Sequence, residues 1–397
     1  MKNNVHFKQL IDTPIFKELQ ETADEMGLET YIVGGFVRDY LLGRGAKQDI
    51  DIVVVGSGIA LAKAIQKKLK INRKVQVFKT YGTAMLQWKD VTLEFVGARK
   101  ESYNIKSRNP VVSEGTLEED QLRRDFTINA LAVSLNKETF GILSDPFAGL
   151  DDLEKKLLRT PIDPYTTYTD DPLRMLRAIR FATQLNFSIV PESLNSIRKN
   201  AERIKIISKE RIVVELNQIL ETKIPSKGFI LLEQTGLLPY ILPELVALKG
   251  IDEKEGHRHK DNFYHTLEVV DNIAKKTINL WLRWAALLHD IGKASTKKFH
   301  PNNGWTFHNH EFEGSKMVYQ LFKRLKMPLN EKMKYVQKLV FMSSRPIVIA
   351  DDQVTDAAVR RLIYDAGDYV EDLMTLCEAD ITTKNPKRFA RFHNNFR

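Results

Sequence analysis

Asp49 and Asp51 stand two residues apart at the start of a run of apolar residues, Ile50 to Val55, that reads as a buried strand. The alternation of a strand puts both carboxylates on one face. Two carboxylates sharing a face repel each other unless a divalent cation sits between them, and Mg²⁺ takes one or two carboxylates together with phosphate oxygens. The chemistry suggested is metal-dependent transfer, with an attacking hydroxyl activated and a triphosphate held in place. Glu94 occupies an alternating position in Val91–Val96 and is a candidate third carboxylate. Upstream, Gly34 and Gly35 follow a strand and open a helix, so their amides lie at its positive end and can approach an anion, with Arg38 projecting from the first turn to the same side. A bare Gly-Gly turn or a bare Asp-x-Asp strand edge is usually structural. The ordered combination points to a transfer site.

Two further clusters carry polar chemistry. In RRDFTINALA, residues 123–132, Arg123 and Arg124 offer charge-assisted bonds to phosphate and Asp125 can accept from ribose hydroxyls. The competing reading is a helix start with Asp125 as its cap. In DDPLRMLRAIRF, residues 170–181, Asp171 suits a helix N-cap and Pro172 the first helical position, while Arg174, Arg177 and Arg180 form one basic stripe. A carboxylate accepts from an exocyclic amino group and a guanidinium donates to the ring acceptor beside it. Cytosine and adenine offer that pair of groups, whereas uracil and guanine present a carbonyl in place of the amino group. An Asp171/Arg174 pair can therefore select C and A without a template, whether or not Asp171 also caps.

A different constellation lies downstream. Seven of the nine histidines (257, 259, 265, 289, 300, 308 and 310) fall within residues 257–310. His289-Asp290 ends an apolar helical run, and a helical bundle can bring His265 and Asp380 to it. Imidazole and carboxylate together suit Mn²⁺, Fe²⁺, Ni²⁺ or Zn²⁺, with His308 and His310 as candidate extra ligands. Occupancy of such a site is expected to fall below about pH 6, where an ordinary histidine protonates. The plainer alternative is a helical scaffold whose histidines hydrogen-bond in a core or bind RNA phosphates.

The elements that must position these residues divide the chain. An amphipathic start (Phe16 to Met26) precedes a strand at Thr30–Val33, a short helix at Phe36–Leu42, a strand at Ile50–Val55 and a helix at Ile59–Leu69. Val75–Phe78, Thr83–Trp88 and Val91–Val96 read as an antiparallel meander. From Asp151 onward the pattern is helical, with breaks at Pro225, Pro239 and Pro243 and a linker at Gly250–Gly256. The fold class is α+β: a head with a small mixed or antiparallel sheet, then an all-helical remainder.

At 397 residues there is room for two or three domains, and 43% hydrophobic with 28% charged residues excludes a disordered chain. The net charge of +9 favours a polyanionic partner. A single cysteine, Cys377, rules out an internal disulfide and suits a reducing cytosol. With no signal-like start and no apolar run of membrane length, a soluble cytoplasmic protein is expected, with no membrane partner.

These motifs resemble those of the bacterial-type (class II) tRNA nucleotidyltransferases, the CCA-adding enzymes and their poly(A) polymerase relatives. The family's GG-x-VRD-x-LLG…D-x-D signature is met by Gly34, Gly35, Val37, Arg38, Asp39, Leu41, Leu42, Gly43, Asp49 and Asp51. Arg123 through Ala130 meet RRD-F-T-x-NA, and Gly149, Asp152, Leu153, Leu158 and Arg159 meet G-x-x-D-L-x(4)-hydrophobic-R. Asp171 and Arg174 meet E-D-x-x-R, with Asp170 where the glutamate usually stands. The resemblance implies Mg²⁺ on Asp49 and Asp51 and triphosphate contacts through Gly34, Gly35 and Arg38. It also implies ribose contacts near Arg124 and Asp125, in the motif that holds Asn129, and base reading by Asp171 and Arg174. CTP and ATP would be substrates and the tRNA acceptor stem the partner. Residues 1–146 would be the catalytic head, 147–250 a neck and body for base recognition and RNA binding, and 251–397 an HD-type domain. Tyr103–Gly115 lies where the family keeps a flexible loop. The chain ends at Arg397 in mid-pattern, without the family's usual helical tail. His265, His289, Asp290 and Asp380 match the HD phosphohydrolase pattern. The activity implied is CCA addition. CC-only, A-only and poly(A) addition are the alternatives within the family, and a nucleotide-sensing HD protein or a non-catalytic RNA-binding module those outside it.

Overall fold

The structure, a computed structural model, describes residue 7 and residues 11–45, 49–79, 82–104, 107–349 and 355–382. The expected α+β class holds, and the chain separates into two compact units: Met1–Arg174 with Phe187–Asn200, and Met175–Asn186 with Ala201–Arg397. The end of the chain at Arg397 lies outside the described residues.

The first unit is built on one seven-stranded sheet. Its strands are β1 (Glu29–Val33), β2 (Asp49–Val55), β3 (Gln76–Phe78), β4 (Thr83–Trp88), β5 (Val91–Gly97), β8 (Ala132–Ser134) and β9 (Leu143–Ser144), in the order β3-β4-β5-β2-β1-β8-β9. Only the central pair, β2 and β5, runs parallel. Helix α1 (Pro14–Glu25) starts the unit, α2 (Gly35–Leu41) joins β1 to β2, and α3 (Gly58–Lys68) packs on β2, β4 and β5. Alternation sets the faces. Ile50, Ile52, Leu93 and Phe95 are buried, while Asp49, Asp51, Thr92 and Glu94 lie on the open side. The meander is as expected. β6 (Arg99–Asn104) and β7 (Ser107–Glu114) pair antiparallel over most of the expected loop, whose residues 105 and 106 are outside the described set.

Helices α4 (Leu117–Leu122), α5 (Gly149–Lys155) and α6 (Pro164–Asp170) also belong to the unit, as does the helix Pro191–Asn200, and α7 (Leu173–Leu185) starts in it. The RRDFTINA segment forms no α-helix. It makes a 3₁₀ turn at Thr127–Asn129, so Asp125 does not serve as an α-helix cap.

The second unit is helical, but the expected linker at Gly250–Gly256 carries part of a small ribbon, Glu253–Lys254 paired with His257–Arg258. A second ribbon pairs Lys298–His300 with Gly304–Thr306. The helices Asn262–Lys276 and Leu280–Leu288 are capped by the side chains of Asp261 and Asn279, each accepting from two first-turn amides. Arg283, only 3% exposed, is anchored by the carbonyls of Leu220, Thr222, Ala274 and Thr277 at the ends of two helices, where carbonyls lack helical partners.

Candidate functional site

Strand register assembles the acidic site. β2 and β5 align Asp51 with Glu94 and Asp49 with Thr92, so three carboxylates share one face across the parallel pair. Burial lifts the Glu94 pKa, and the Asp51 and Asp49 charges raise it further, against the pull of Arg99. Oxygen-only donors crowded on one face suit a hard divalent cation such as Mg²⁺. Gly34 adopts φ +72°, and a β-carbon there would lie 3.3 Å from Asp51 Oδ2 and 3.5 Å from an Arg124 guanidinium nitrogen. A glycine is thus favoured by the left-handed backbone, and the approach of the Asp51 carboxylate would leave a β-carbon little room.

Arg124 is held from behind. Asp120 is fully buried and pairs with both Arg123 and Arg124, while Glu101 pairs with Arg99 and Arg123. Burial alone would raise the Asp120 pKa, but the two guanidiniums outweigh it and hold the carboxyl below its ordinary range. Asp125 accepts from the Asn129 side-chain amide (3.0 Å), and Asn129 Oδ1 accepts from Arg38 (2.7 Å). Arg38 itself is buried against Asp39, so it reaches the site through Asn129.

The turn that carries Asn129 is clamped by the residues of the G-x-x-D…R motif. Asp152 Oδ2 accepts from Thr127 Oγ (2.7 Å), its other oxygen faces Arg159 Nε (3.3 Å), and the Arg159 carbonyl accepts from the Thr127 amide (2.9 Å). Gly149 completes the clamp: a β-carbon there would lie 2.5 Å from the Thr127 carbonyl oxygen. Gly149→Ala must therefore displace the turn, at a cost of about 1–3 kcal/mol by overpacking. A melting temperature several degrees lower is expected, and an unchanged one would show that the clamp does not matter.

At the third cluster Asp171 ends α6, and its carboxylate accepts from the Leu173 amide (3.2 Å), so it does cap α7. Arg174 donates to the Arg123 carbonyl (2.6 Å), which ties the start of α7 to the RRD segment. Arg180 pairs with Glu215 (3.1 Å), and Arg177 and Arg180 lie 5.5 and 4.3 Å from the centre of the Phe181 ring.

The second unit brings His265, His289, Asp290 and Asp380 together. His265 Nε2 lies 2.8 Å from Asp380 Oδ1, and His289 Nε2 lies 3.4 Å from both Asp290 Oδ2 and Asp380 Oδ1. His289 Nδ1 faces the Ala286 carbonyl (2.7 Å), leaving Nε2, a buried atom with no well-formed hydrogen bond, aimed at the carboxylates. One ligand atom from each of His265, His289 and Asp290 lies within 4.8 Å of the others. An orphaned imidazole nitrogen among carboxylates fits a transition metal. His310 joins through Asp290 (3.5 Å), whereas His308 is exposed. Lys293 Nζ lies 2.6 Å from Asp290 Oδ2.

Three stretches of the chain match known family models. Residues 30–159 match the poly(A) polymerase head domain, 186–248 the probable RNA- and SrmB-binding site of polymerase A, and 262–383 the HD domain. A multifunctional CCA protein of Xylella fastidiosa is 36% identical over 376 residues, covering 89% of this chain and 83% of that protein. The chain belongs to the tRNA nucleotidyltransferase and poly(A) polymerase family. An A-adding tRNA nucleotidyltransferase of Geobacter sulfurreducens is 35% identical, but the match spans only 30% of that protein. Among solved structures, a Thermotoga maritima CCA-adding enzyme complexed with tRNA aligns over 98% of this chain and 84% of that one. Its TM-score is 0.69 at 22% identity, a likeness of fold.

Within this nucleotidyltransferase family chain, sequence reasoning passed over Asp120, Glu101 and Lys293, and it gave Thr127, inside the matched RRD motif, no role of its own. The i, i+3 and i, i+4 spacing of Asp120 to Arg123 and Arg124 was the available signal for the first. Thr127 and Asp152 lie 25 residues apart and meet only in three dimensions.

Proposed function

We propose that this chain adds C and A nucleotides from CTP and ATP, without a template, to the 3′ end of tRNA, building or repairing the CCA end and releasing diphosphate. The observation that carries this reading is the three-carboxylate face of β2 and β5, set against Gly34 and Arg124 in a member of this family. A addition alone is the alternative within the family, since an A-adding relative is 35% identical over 286 residues of this chain.

In this reading Asp49, Asp51 and Glu94 hold Mg²⁺, which supplies charge neutralisation for the triphosphate and acidity for the attacking tRNA hydroxyl. Gly34 and Gly35 leave room for phosphate oxygens, Arg124 meets their charge, and Asp125 and Asn129 accept from or donate to the ribose. Asp171 and Arg174 read the base edge. Arg177 extends the basic row, and Arg180, committed to Glu215, holds α7. The division into a catalytic head (1–146), a base-reading and RNA-binding neck and body (147–250) and an HD domain (251–397) is kept as the working map. The HD cluster holds a transition metal on His265, His289, Asp290 and Asp380, which would supply Lewis acidity for hydrolysing phosphoesters. Among the described residues no helix is long and apolar enough to cross a membrane, and Cys377 is buried, in keeping with work on tRNA in the cytoplasm.

Labelled CTP or ATP, Mg²⁺ and tRNAs lacking one, two or three terminal nucleotides test the whole reading. Full CCA synthesis on the shortest tRNA is expected; extension of only the tRNA that lacks its final A would replace the reading with A addition. Asp171→Ala should in addition relax discrimination against UTP and GTP, while the lost cap costs only about 1 kcal/mol. A variant that melts lower yet keeps full C/A selectivity would reduce Asp171 to a cap.

A further inference from the structure

A buried phenol stands behind the proposed nucleotide site of the first unit. Tyr168 lies in α6, three residues before Asp171, and is fully buried, whereas Tyr165 one turn earlier is half exposed. Thr169 Oγ donates to Asn200 Oδ1 (3.0 Å), which ties α6 to the helix Pro191–Asn200. The hydroxyl of Tyr168 is a buried atom without a well-formed hydrogen bond, and so is the hydroxyl of Ser193 on that helix. A side chain that only filled the core would do better as phenylalanine, because burying an unbonded hydroxyl costs stability.

Burial pushes the Tyr168 pKa well up, the Ser193 hydroxyl beside it pulls it down, the Asp125 carboxylate raises it again and the Arg174 guanidinium lowers it. At neutral pH the phenol keeps its proton. The two charges that act on it both belong to the proposed site, Asp125 for the ribose and Arg174 for the base. Asp125 Oδ1 accepts from the Phe126 amide (2.9 Å) and from the Asn129 side-chain amide (3.0 Å). Arg174, also buried, donates to the Arg123 carbonyl (2.6 Å). A further proton donor behind the carboxylate limits how it can turn, and hydrogen bonds of a site often tighten only once the substrate is in place.

We infer that Tyr168 is a positioning residue for the sugar: its hydroxyl donates to the Asp125 carboxylate as a nucleotide binds, holds it toward the ribose 2′-hydroxyl, and so sets the preference for ribose over deoxyribose. The bond that the phenol lacks in the core is made at the site, where a charged acceptor makes it stronger than a neutral one would. The inference rests on the proposed ribose contact of Asp125, but it requires neither nucleotide transfer nor tRNA.

Isothermal titration of the full chain with ATP and with 2′-deoxyATP, in Mg²⁺ and without tRNA, tests this. The wild-type protein should bind ATP more tightly by at least about tenfold, since a site that bonds a hydroxyl rejects the analogue lacking it. Tyr168→Phe keeps the ring and removes only the hydroxyl. It should cut that preference by about fivefold, while the melting temperature stays level or rises as an unbonded hydroxyl leaves the core. A folded variant that keeps the full preference overturns the assignment, whatever its melting temperature. In an Asp125→Ala background the same change should cause no further loss, and an equal further loss there overturns the route through Asp125. If Tyr168→Phe does not fold, wild-type protein carrying 3-fluorotyrosine answers instead. Tyr168 is the most buried tyrosine among the described residues, so its fluorine resonance is the one that a soluble paramagnet broadens least. That resonance should shift with ATP and less with 2′-deoxyATP; indifference to ATP overturns the assignment. Wild-type protein that binds both nucleotides equally removes the ribose contact of Asp125 and this role together. Ribose preference that depends on Tyr168, without addition to tRNA, leaves the positioning role standing and removes the transferase reading.

Discussion

Asp51→Asn is expected to lower nucleotide addition by about three orders of magnitude, and Asp49→Asn by a comparable factor, with the melting temperature and tRNA affinity nearly unchanged. On the proposed reading each substitution removes a ligand and a charge where several kcal/mol of transition-state stabilisation is concentrated, and each 1.36 kcal/mol is a tenfold change in rate. The fold should tolerate the change because Asp51 lies on the open face of β2 and repels Glu94. Single-turnover addition of one labelled nucleotide at saturating Mg²⁺ checks this. Transfer within about tenfold of wild type for both variants would remove the carboxylate pair from the mechanism.

The second large effect concerns the HD cluster. Replacing His289 and Asp290 together by alanine should abolish transition-metal binding and any metal-dependent phosphoester hydrolysis, yet leave nucleotide addition in the head within a factor of about two. Elemental analysis after incubation with Mn²⁺, Ni²⁺ or Zn²⁺ decides the matter, and wild-type protein that holds none of them would leave a helical scaffold. Acidity sharpens the expectation. Burial alone would lower the His289 pKa, but Asp290 and Asp380 outweigh it and hold it at about 9 in the metal-free protein. A protonated Nε2 cannot ligate, so metal affinity should climb by about tenfold per pH unit up to that value, with a proton released on binding. An ordinary histidine would place the loss of metal near pH 6. The paired carboxylates move the window upward.

Much of the transfer site was legible because its motifs are local. Gly34-Gly35, Asp49-x-Asp51 and the strand–helix periods around them are fixed by neighbours within a few residues. What resisted reading depends on contacts between distant segments. β6 and β7 include Pro110 and lack clean alternation, so they read as a loop. Strands of two or three residues such as β8 and β9 are too short to show a period. His308 and His310 are indistinguishable as ligands by spacing, and only the start of the helix at His310 turns that one toward Asp290. The basic stripe of α7 looked uniform, yet Glu215, 35 residues beyond Arg180, claims one member of it.

The parallel pairing of β2 with β5 bears on how the head folds. Every other neighbour in the sheet is antiparallel, and α3, β3 and β4 lie in sequence between the two members of this pair. Closing a loop of about forty residues is a slow kind of step, because chain entropy is lost before contacts reward it. Here that step also drives Asp51 against Glu94. The raised Glu94 pKa means that the folded head keeps a proton there longer than the unfolded chain does. The penalty is absent below the ordinary glutamate range and is felt in full above the raised value. A divalent ion that binds the closed pair and not the open chain offsets the same repulsion by mass action. At neutral pH the cation proposed to serve the chemistry would then also hold the parallel pair of the sheet closed.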